Sequence, residues 1–249
     1  MTVKNSKASQ ATFAYCLLIS LLGILIFANH LNNPFQFDSV AYITNNATLQ
    51  HPETLLTFEF WHKAFLARGL LQMSVALNTY LDGFQPFGYH VLNLAFHILN
   101  ALLLFFVLEK AFRRFGFNAM GWEDKRFRTI SFFAAVLFLC HPIQTESVIY
   151  IMSRSEVMAS TFYLIGFLLF QQLLERPTTS RLQYGFYFLT IFLIALLGFT
   201  VTDYRDPTRR NALLLFFQLP RSFPGLAIFK KMEVVDFRHL IHNCRPFVL

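Results

Sequence analysis

An all-α, polytopic transmembrane helix bundle is what this sequence predicts, on three observations. Of its 249 residues, 55% are hydrophobic and only 14% charged, where soluble domains average about a quarter charged. The apolar residues gather in runs, several near the roughly 20 that a bilayer-crossing helix needs. The Lys and Arg residues crowd one connection between runs. A chain of this length has room for roughly five or six such helices with their loops. A net charge of +7 would suggest nucleic acid in a soluble protein. Here it reads as basic loops held on the cytoplasmic side, and no nucleic-acid partner is expected.

The first span is residues 11–29, "ATFAYCLLISLLGILIFAN", preceded by Lys4 and Lys7. A secretory signal peptide starts the same way, but "NHLNNPFQF" follows instead of a small-residue cleavage site, which favours a retained anchor. Residues 30–87 form an outer loop with short apolar pieces, one of them suited to an amphipathic helix on or partly in the membrane. The second span is about 88–108. The next connection, 109–128, carries Lys110, Arg113, Arg114, Lys125, Arg126 and Arg128, whereas loop 30–87 has only Lys63 and Arg68. The positive-inside bias therefore puts 109–128 and the N-terminus in the cytoplasm, and 30–87 outside. The third span, about 129–140, goes out; the fourth, about 157–174, returns. Pro177 breaks the helix in the short turn that follows, and the fifth span, about 182–199, goes out again.

"HPIQTESVIYIMSRSE" (141–156) interrupts two apolar runs. Pro142 prevents a plain helix from running through it. Glu146 and Glu156 are costly near lipid unless paired or facing water. Arg154 could partner either acid, or a phosphate. His141 can donate a hydrogen bond to an anion or shuttle a proton. A structural ion pair pinning two spans together explains the same residues without chemistry. On the same face lies Asp38, beside Phe35 and Phe37. Partial desolvation there would make its carboxylate a better base; an ordinary helix-flanking Asp is the other reading. Arg68, on the outer face against the charge bias, suits an anion or a lipid headgroup.

In the second span His90, Asn93, His97 and Asn100 recur at spacings that share one helix face. A polar stripe in a membrane helix turns inward, and interhelical hydrogen bonding is the favoured reading over ligand contact. His90 and His97 lie roughly 10 Å apart along a helix, too far to share one metal ion. Cys16, Cys140 and Cys244 show neither metal nor disulfide spacing. The Asn46–Ala47–Thr48 triplet fits a glycosylation acceptor, a pattern frequent by chance. There is no phosphate-binding Gly loop, no HExxH and no repeat of 20–50 residues.

"FQFDS…YITNN", "RGLLQMSVALNTYL", "GYHVLNLAFHILNALLL" and "HPIQTESVIYIMSRSE", in this order, are similar to the N-terminal membrane part of the tetratricopeptide-repeat membrane glycosyltransferases. These are GT-C-type proteins related to protein O-mannosyltransferases. The resemblance covers about residues 10–198, and the His-Pro-x-Gln-Thr-Glu element is its most specific part. It implies a GT-C-like bundle in a bacterial inner membrane or an ER-type membrane. It implies a polyprenyl-phosphate sugar donor and transfer to a protein or glycan hydroxyl on the outer face. It also implies Asp38 as catalytic base, although the family's usual second acid is replaced here by Ser39. Arg68, His141 and Arg154 become candidates for the donor phosphate, with Glu156 and His90 in support. Glu146 would orient His141 or hold a divalent metal ion.

After Gly198 the pattern departs. The family would continue with a Ser-Lys-Glu motif and a further span; instead "FTVTDYRDPTRRNALLLFFQLPRSFPG" opens an irregular tail over 199–249. One reading is a shifted reading frame, since moving the codons of "TDYRDPTRR" by one base makes an apolar sequence available. On that reading the chain is a truncated, inactive piece, divided into a GT-C-like domain at 1–198 and an aberrant tail. The alternative to an enzyme is a transporter subunit or assembly factor that uses the same polar groups for packing. A transporter would show paired halves with broken helices, and no such symmetry is visible.

Overall fold

The computed structural model describes residues 2–51, 57–58, 68–114 and 124–175, with isolated helical positions at 187, 189–191, 193–194 and 197. All belong to one unit, Met1–Asp203. Among the described residues there is no strand. The fifth span is described only at those isolated positions, and the tail at 199–249 lies outside the described residues.

Helix α1, Thr2–Phe27, continues through a tight turn, Ala28–His30. Ile19 and Phe27 are buried while Phe13, Leu17, Leu21 and Leu25 are exposed; a helix apolar on every side belongs in lipid. A π-helical turn, Val40–Thr44, leads to the short α2, Ala47–Gln50. Asn46 caps α2, its Oδ1 accepting the Thr48 N–H at 3.0 Å. Helix α3, Gly69–Asp82, stops at Gly83, whose φ of 62° suits a residue without Cβ. Helix α4, Pro86–Arg114, begins on a proline, which has no N–H to leave unpaired there.

Helix α5, Asp124–Cys140, ends where Pro142 removes a donor and pushes His141 out of the helical region. The short α6, Gln144–Ile149, and a 3₁₀ turn, Ile151–Ser153, follow before α7, Arg154–Glu175. The fourth span thus starts earlier than hydropathy placed it: Arg154 and Glu156 are its first turn, not its preceding loop. The expected amphipathic segment of loop 30–87 is α3, which docks Leu71, Val75 and Ala76 on the bundle and leaves Leu77, Tyr80 and Leu81 exposed.

The stretches Ser9–His30, Pro86–Arg114 and Ile151–Leu173 are long and apolar enough to cross a membrane. Helix α5, at 17 residues, reaches about 25 Å. Pair contacts fix the directions. Arg128 reaches Glu109 while His97 reaches the Leu139 carbonyl, so α4 and α5 are antiparallel. Asn100 meets Val157 and Thr161 while Gln171 meets Val107, so α4 and α7 are parallel. Tyr15 stacks on Phe132 at 4.6 Å, and Ile19 packs with Ala135 and Leu139, so α1 runs alongside α5. At Gly23 an added Cβ would meet Ile98 Cγ1 at 2.7 Å, so the bare backbone lets α1 and α4 close together. The chain is a multi-pass, all-α membrane bundle in which successive long helices alternate in direction.

One end holds the connection between α4 and α5, with Lys110, Arg113 and Arg128. The other gathers the end of α1, the starts of α4 and α7, and the 141–153 segment. Ile43, Leu49, Leu71, Val75, Tyr89, Ile151 and Met158 form a second core there, beneath the turn and short helices that follow α1.

Candidate functional site

The α4 stripe explains how a polar, proline-broken segment sits inside an apolar bundle. A chain that leaves helical geometry leaves backbone carbonyls unpaired, and each is costly away from water. Asn93 Nδ2 faces the carbonyls of Val148, Tyr150 and Ile151, each at 3.4 Å. His97 Nε2 donates to the Leu139 carbonyl at 3.2 Å, at the end of α5. Asn100 Nδ2 donates to Val157 O at 2.8 Å and its Oδ1 accepts from Thr161 at 2.7 Å. His90 Nε2 donates to the Asn33 carbonyl at 3.0 Å, tying α4 to the segment after α1. The stripe is interhelical hydrogen bonding, as its spacing predicted.

Arg154 is fully buried. Its Nε donates to Asn93 Oδ1 at 2.7 Å, one terminal nitrogen to Ser74 Oγ at 3.2 Å and the other to the Tyr89 carbonyl at 3.0 Å. The guanidinium also lies 5.6 Å from the centre of the Tyr89 ring. Tyr89 is held in turn by Thr79 at 2.7 Å and the Gly83 carbonyl at 3.0 Å. The sequence offered Arg154 a carboxylate or a phosphate; the structure gives it amide, hydroxyl, carbonyl and ring partners inside the bundle. It clamps α3, α4 and α7 together.

The exposed groups are arranged differently. Asp38 is exposed, not wedged between its phenylalanines as the sequence suggested. Phe35 turns inward, edge-on to Tyr89 at 5.3 Å, while Phe37 turns outward and is 81% exposed. Phe37 has a φ of 49°, uncommon for any residue with a side chain. Its ring lies edge-on to Tyr150 at 6.1 Å. The Asp38 backbone N–H donates to the Tyr150 phenol oxygen, and the phenol O–H donates to the Asp38 carboxylate. Burial pushes the phenol above its usual range, the Asp38 charge adds to the rise, and the Arg68 charge opposes it. Asp38, Arg68 and the 141–156 segment therefore meet around Tyr150, a residue that no sequence signal had marked beyond its place in that segment.

His141 and Glu146 are exposed at this same end. His141 Nδ1 accepts the Ile143 N–H at 3.2 Å, which leaves the neutral ring's proton on Nε2. Glu156 is exposed on the first turn of α7. Among the described residues no three of His, Cys, Asp or Glu gather as a metal site, so Glu146 has no companions there with which to hold one. A groove of about 530 Å³ between α4 and α7, lined by Leu103, Phe106, Lys110, Arg113, Leu168 and Leu169, lies at the opposite end from Asp38.

Curated proteins provide the comparison. Protein O-mannosyl-transferase TMTC3 of Mus musculus is 30% identical over 204 residues, 77% of this chain and 20% of the relative. TMTC4 of Homo sapiens is 31% identical over 166 residues, 61% and 22%. TMTC1 of Mus musculus is 30% identical over 184 residues, 66% and 18%. This chain is a relative of the TMTC protein O-mannosyl-transferases. The resemblance carried by its motifs is thus borne out. The chain spans about a fifth of the length of the curated TMTC relatives it matches. No family model and no solved structure matches it.

Proposed function

We propose that this chain belongs to the membrane part of a glycosyltransferase that moves a sugar from a polyprenyl-phosphate donor to an acceptor hydroxyl on the non-cytoplasmic face. The observation that carries the reading is the meeting of Asp38, Arg68 and the His-Pro-x-Gln-Thr-Glu segment at one bundle end, in a relative of O-mannosyl-transferases. Asp38 takes the proton of the acceptor hydroxyl as its oxygen attacks the anomeric carbon. The bond from that carbon to the phosphate oxygen breaks, and the polyprenyl phosphate departs with the electron pair. Arg68 and the outward Nε2–H of His141 meet the charge developing on the phosphate. Arg154, turned inward, holds the segment that carries these groups. A protein hydroxyl is the acceptor that the relatives' names favour; an ER-type membrane fits those relatives. The six basic residues of 109–128 support a cytoplasmic N-terminus.

Two experiments test this reading. In proteoliposomes supplied with polyprenyl-phosphate mannose and a Ser/Thr peptide, the chain should transfer mannose and the Asp38→Asn form should not. Parental rates in that variant would remove the base. Cysteine labelling at positions 38 and 146, in a form lacking Cys16, Cys140 and Cys244, should mark both from the non-cytoplasmic side; opposite sides would end the proposal. The packing of Arg154 and the α4 stripe favours a second reading, a non-enzymatic assembly factor, which predicts no transfer from any lipid-linked sugar.

A further inference from the structure

We infer that Tyr150 is a positioning residue for the Asp38 carboxylate, presenting one carboxylate oxygen to the acceptor by holding the other. The inference rests on the glycosyltransferase reading above and deepens it.

The backbone of Phe37 comes first. A left-handed conformation costs a residue with Cβ roughly 1–2 kcal/mol, and strain of this kind persists only where surrounding contacts fix it. Here the Phe37 ring lies edge-on to Tyr150, while Ser39 N–H donates to Gln36 O at 3.0 Å and Val40 N–H to Phe37 O at 3.1 Å. The strained turn aims Asp38 back at the phenol. Tyr150 is in turn fixed from behind. Its N–H donates to Glu146 O at 3.0 Å, and its carbonyl faces Asn93 Nδ2 at 3.4 Å. Asn93 is itself gripped by Arg154 at 2.7 Å. A chain of fixed groups therefore runs Arg154, Asn93, Tyr150, Asp38, from the middle of the bundle to its surface.

This gives an exposed carboxylate a defined orientation, which is otherwise lost to side-chain freedom. The phenol O–H occupies one oxygen, leaving the other to receive the acceptor's proton. The groups charged toward the phenol are Asp38 and Arg68. Tyr150 touches no substrate in this scheme; it acts through Asp38.

The test has one arm that needs no activity. The protein is labelled with [13Cζ]tyrosine, and the Tyr150 signal is identified by its loss in Tyr150→Phe, which keeps the ring on Phe37. The midpoint of that signal should fall in Asp38→Asn and rise in Arg68→Gln. A midpoint unmoved by Asp38→Asn overturns the contact. In the transfer arm, Tyr150→Phe should lower kcat about tenfold, within the range of a misplaced catalytic group, with KM for polyprenyl-phosphate mannose unchanged. Parental kcat in Tyr150→Phe, beside an inactive Asp38→Asn, overturns the positioning role alone. Parental transfer in Asp38→Asn overturns the base assignment, and the titration still judges the contact.

Discussion

Two buried arginines sit at opposite ends of the bundle, and their company differs. Arg128 donates to Glu109 at 2.9 Å, and the same carboxylate oxygen takes Arg113 at 2.6 Å. Nearby, Lys110 pairs with Glu175 at 2.8 Å. Arg154 is more deeply buried, and its hydrogen-bond partners are all neutral: Asn93, Ser74 and the Tyr89 carbonyl. At the basic end, cations are compensated by acids of the protein itself. At the Asp38 end, a buried positive charge is stabilised by dipoles alone. Burying a charge without a counter-ion is expensive, and its field at short range favours anions. That difference suits an end where a phosphate-linked donor is handled and another where helices are merely held together.

The largest expected effect breaks the comparison at its functional side. Asp38→Asn should lower sugar transfer by about 10²–10⁴-fold, the usual contribution of a general base, with helical circular dichroism unchanged. Glu109→Gln, at the opposite end, should leave the transfer rate at its parental value. Equal losses in both variants would mean that the two ends do not divide the work.

Next comes the clamp itself. Arg154→Met removes three hydrogen bonds from a charged donor and leaves Asn93 Oδ1 and the Tyr89 carbonyl short of partners. A cost of roughly 3–5 kcal/mol is expected, read as a lower midpoint for thermal loss of helicity in detergent. Arg154→Lys should recover part of it, having fewer donors to place. Arg128→Met should cost less, about 1–2 kcal/mol, because Glu109 keeps Arg113 and remains paired. The reverse ranking would show that the acid pair, not the neutral cage, anchors the bundle.

Much of the frame was legible in the sequence. The long apolar helices α1, α4 and α7 follow from hydropathy, since lipid demands apolar surface on all sides. The polar stripe was legible too, because its helical spacing forces His90, Asn93, His97 and Asn100 onto one face. Hydropathy misplaced the start of α7, where Arg154 and Glu156 look like loop. Their helix forms because Arg154 finds partners on α3 and α4, and contacts between distant segments leave no trace in a local window. The same limit hid Tyr150. Its neighbour Asp38 follows a different helix, and the strained Phe37 turn that joins them has no sequence signature without a glycine. Asp38 itself was placed at the right end but in the wrong setting, since Phe35 and Phe37 point to opposite sides and leave it open.

The smallest effect sharpens the comparison through pH. Tyr150 is held protonated in the folded chain by burial and by Asp38, so its folded value lies above the unfolded value of 10.0. Between the two values the folded state binds more protons than the unfolded state, and stability must fall as pH rises. The protonated form's contribution is complete below about pH 10 and is lost as pH climbs through the folded value. Opening of the contact between Phe37, Asp38 and Tyr150 should therefore set in above about pH 10. Backbone hydrogen exchange extrapolated to that range, or cysteine accessibility at position 37, would detect it. Tyr150→Phe should abolish this pH dependence while leaving the pairing of Arg128 with Glu109 untouched. An unchanged profile in Tyr150→Phe would assign the opening to another group, and the two ends would then differ in charge but not in their response to it.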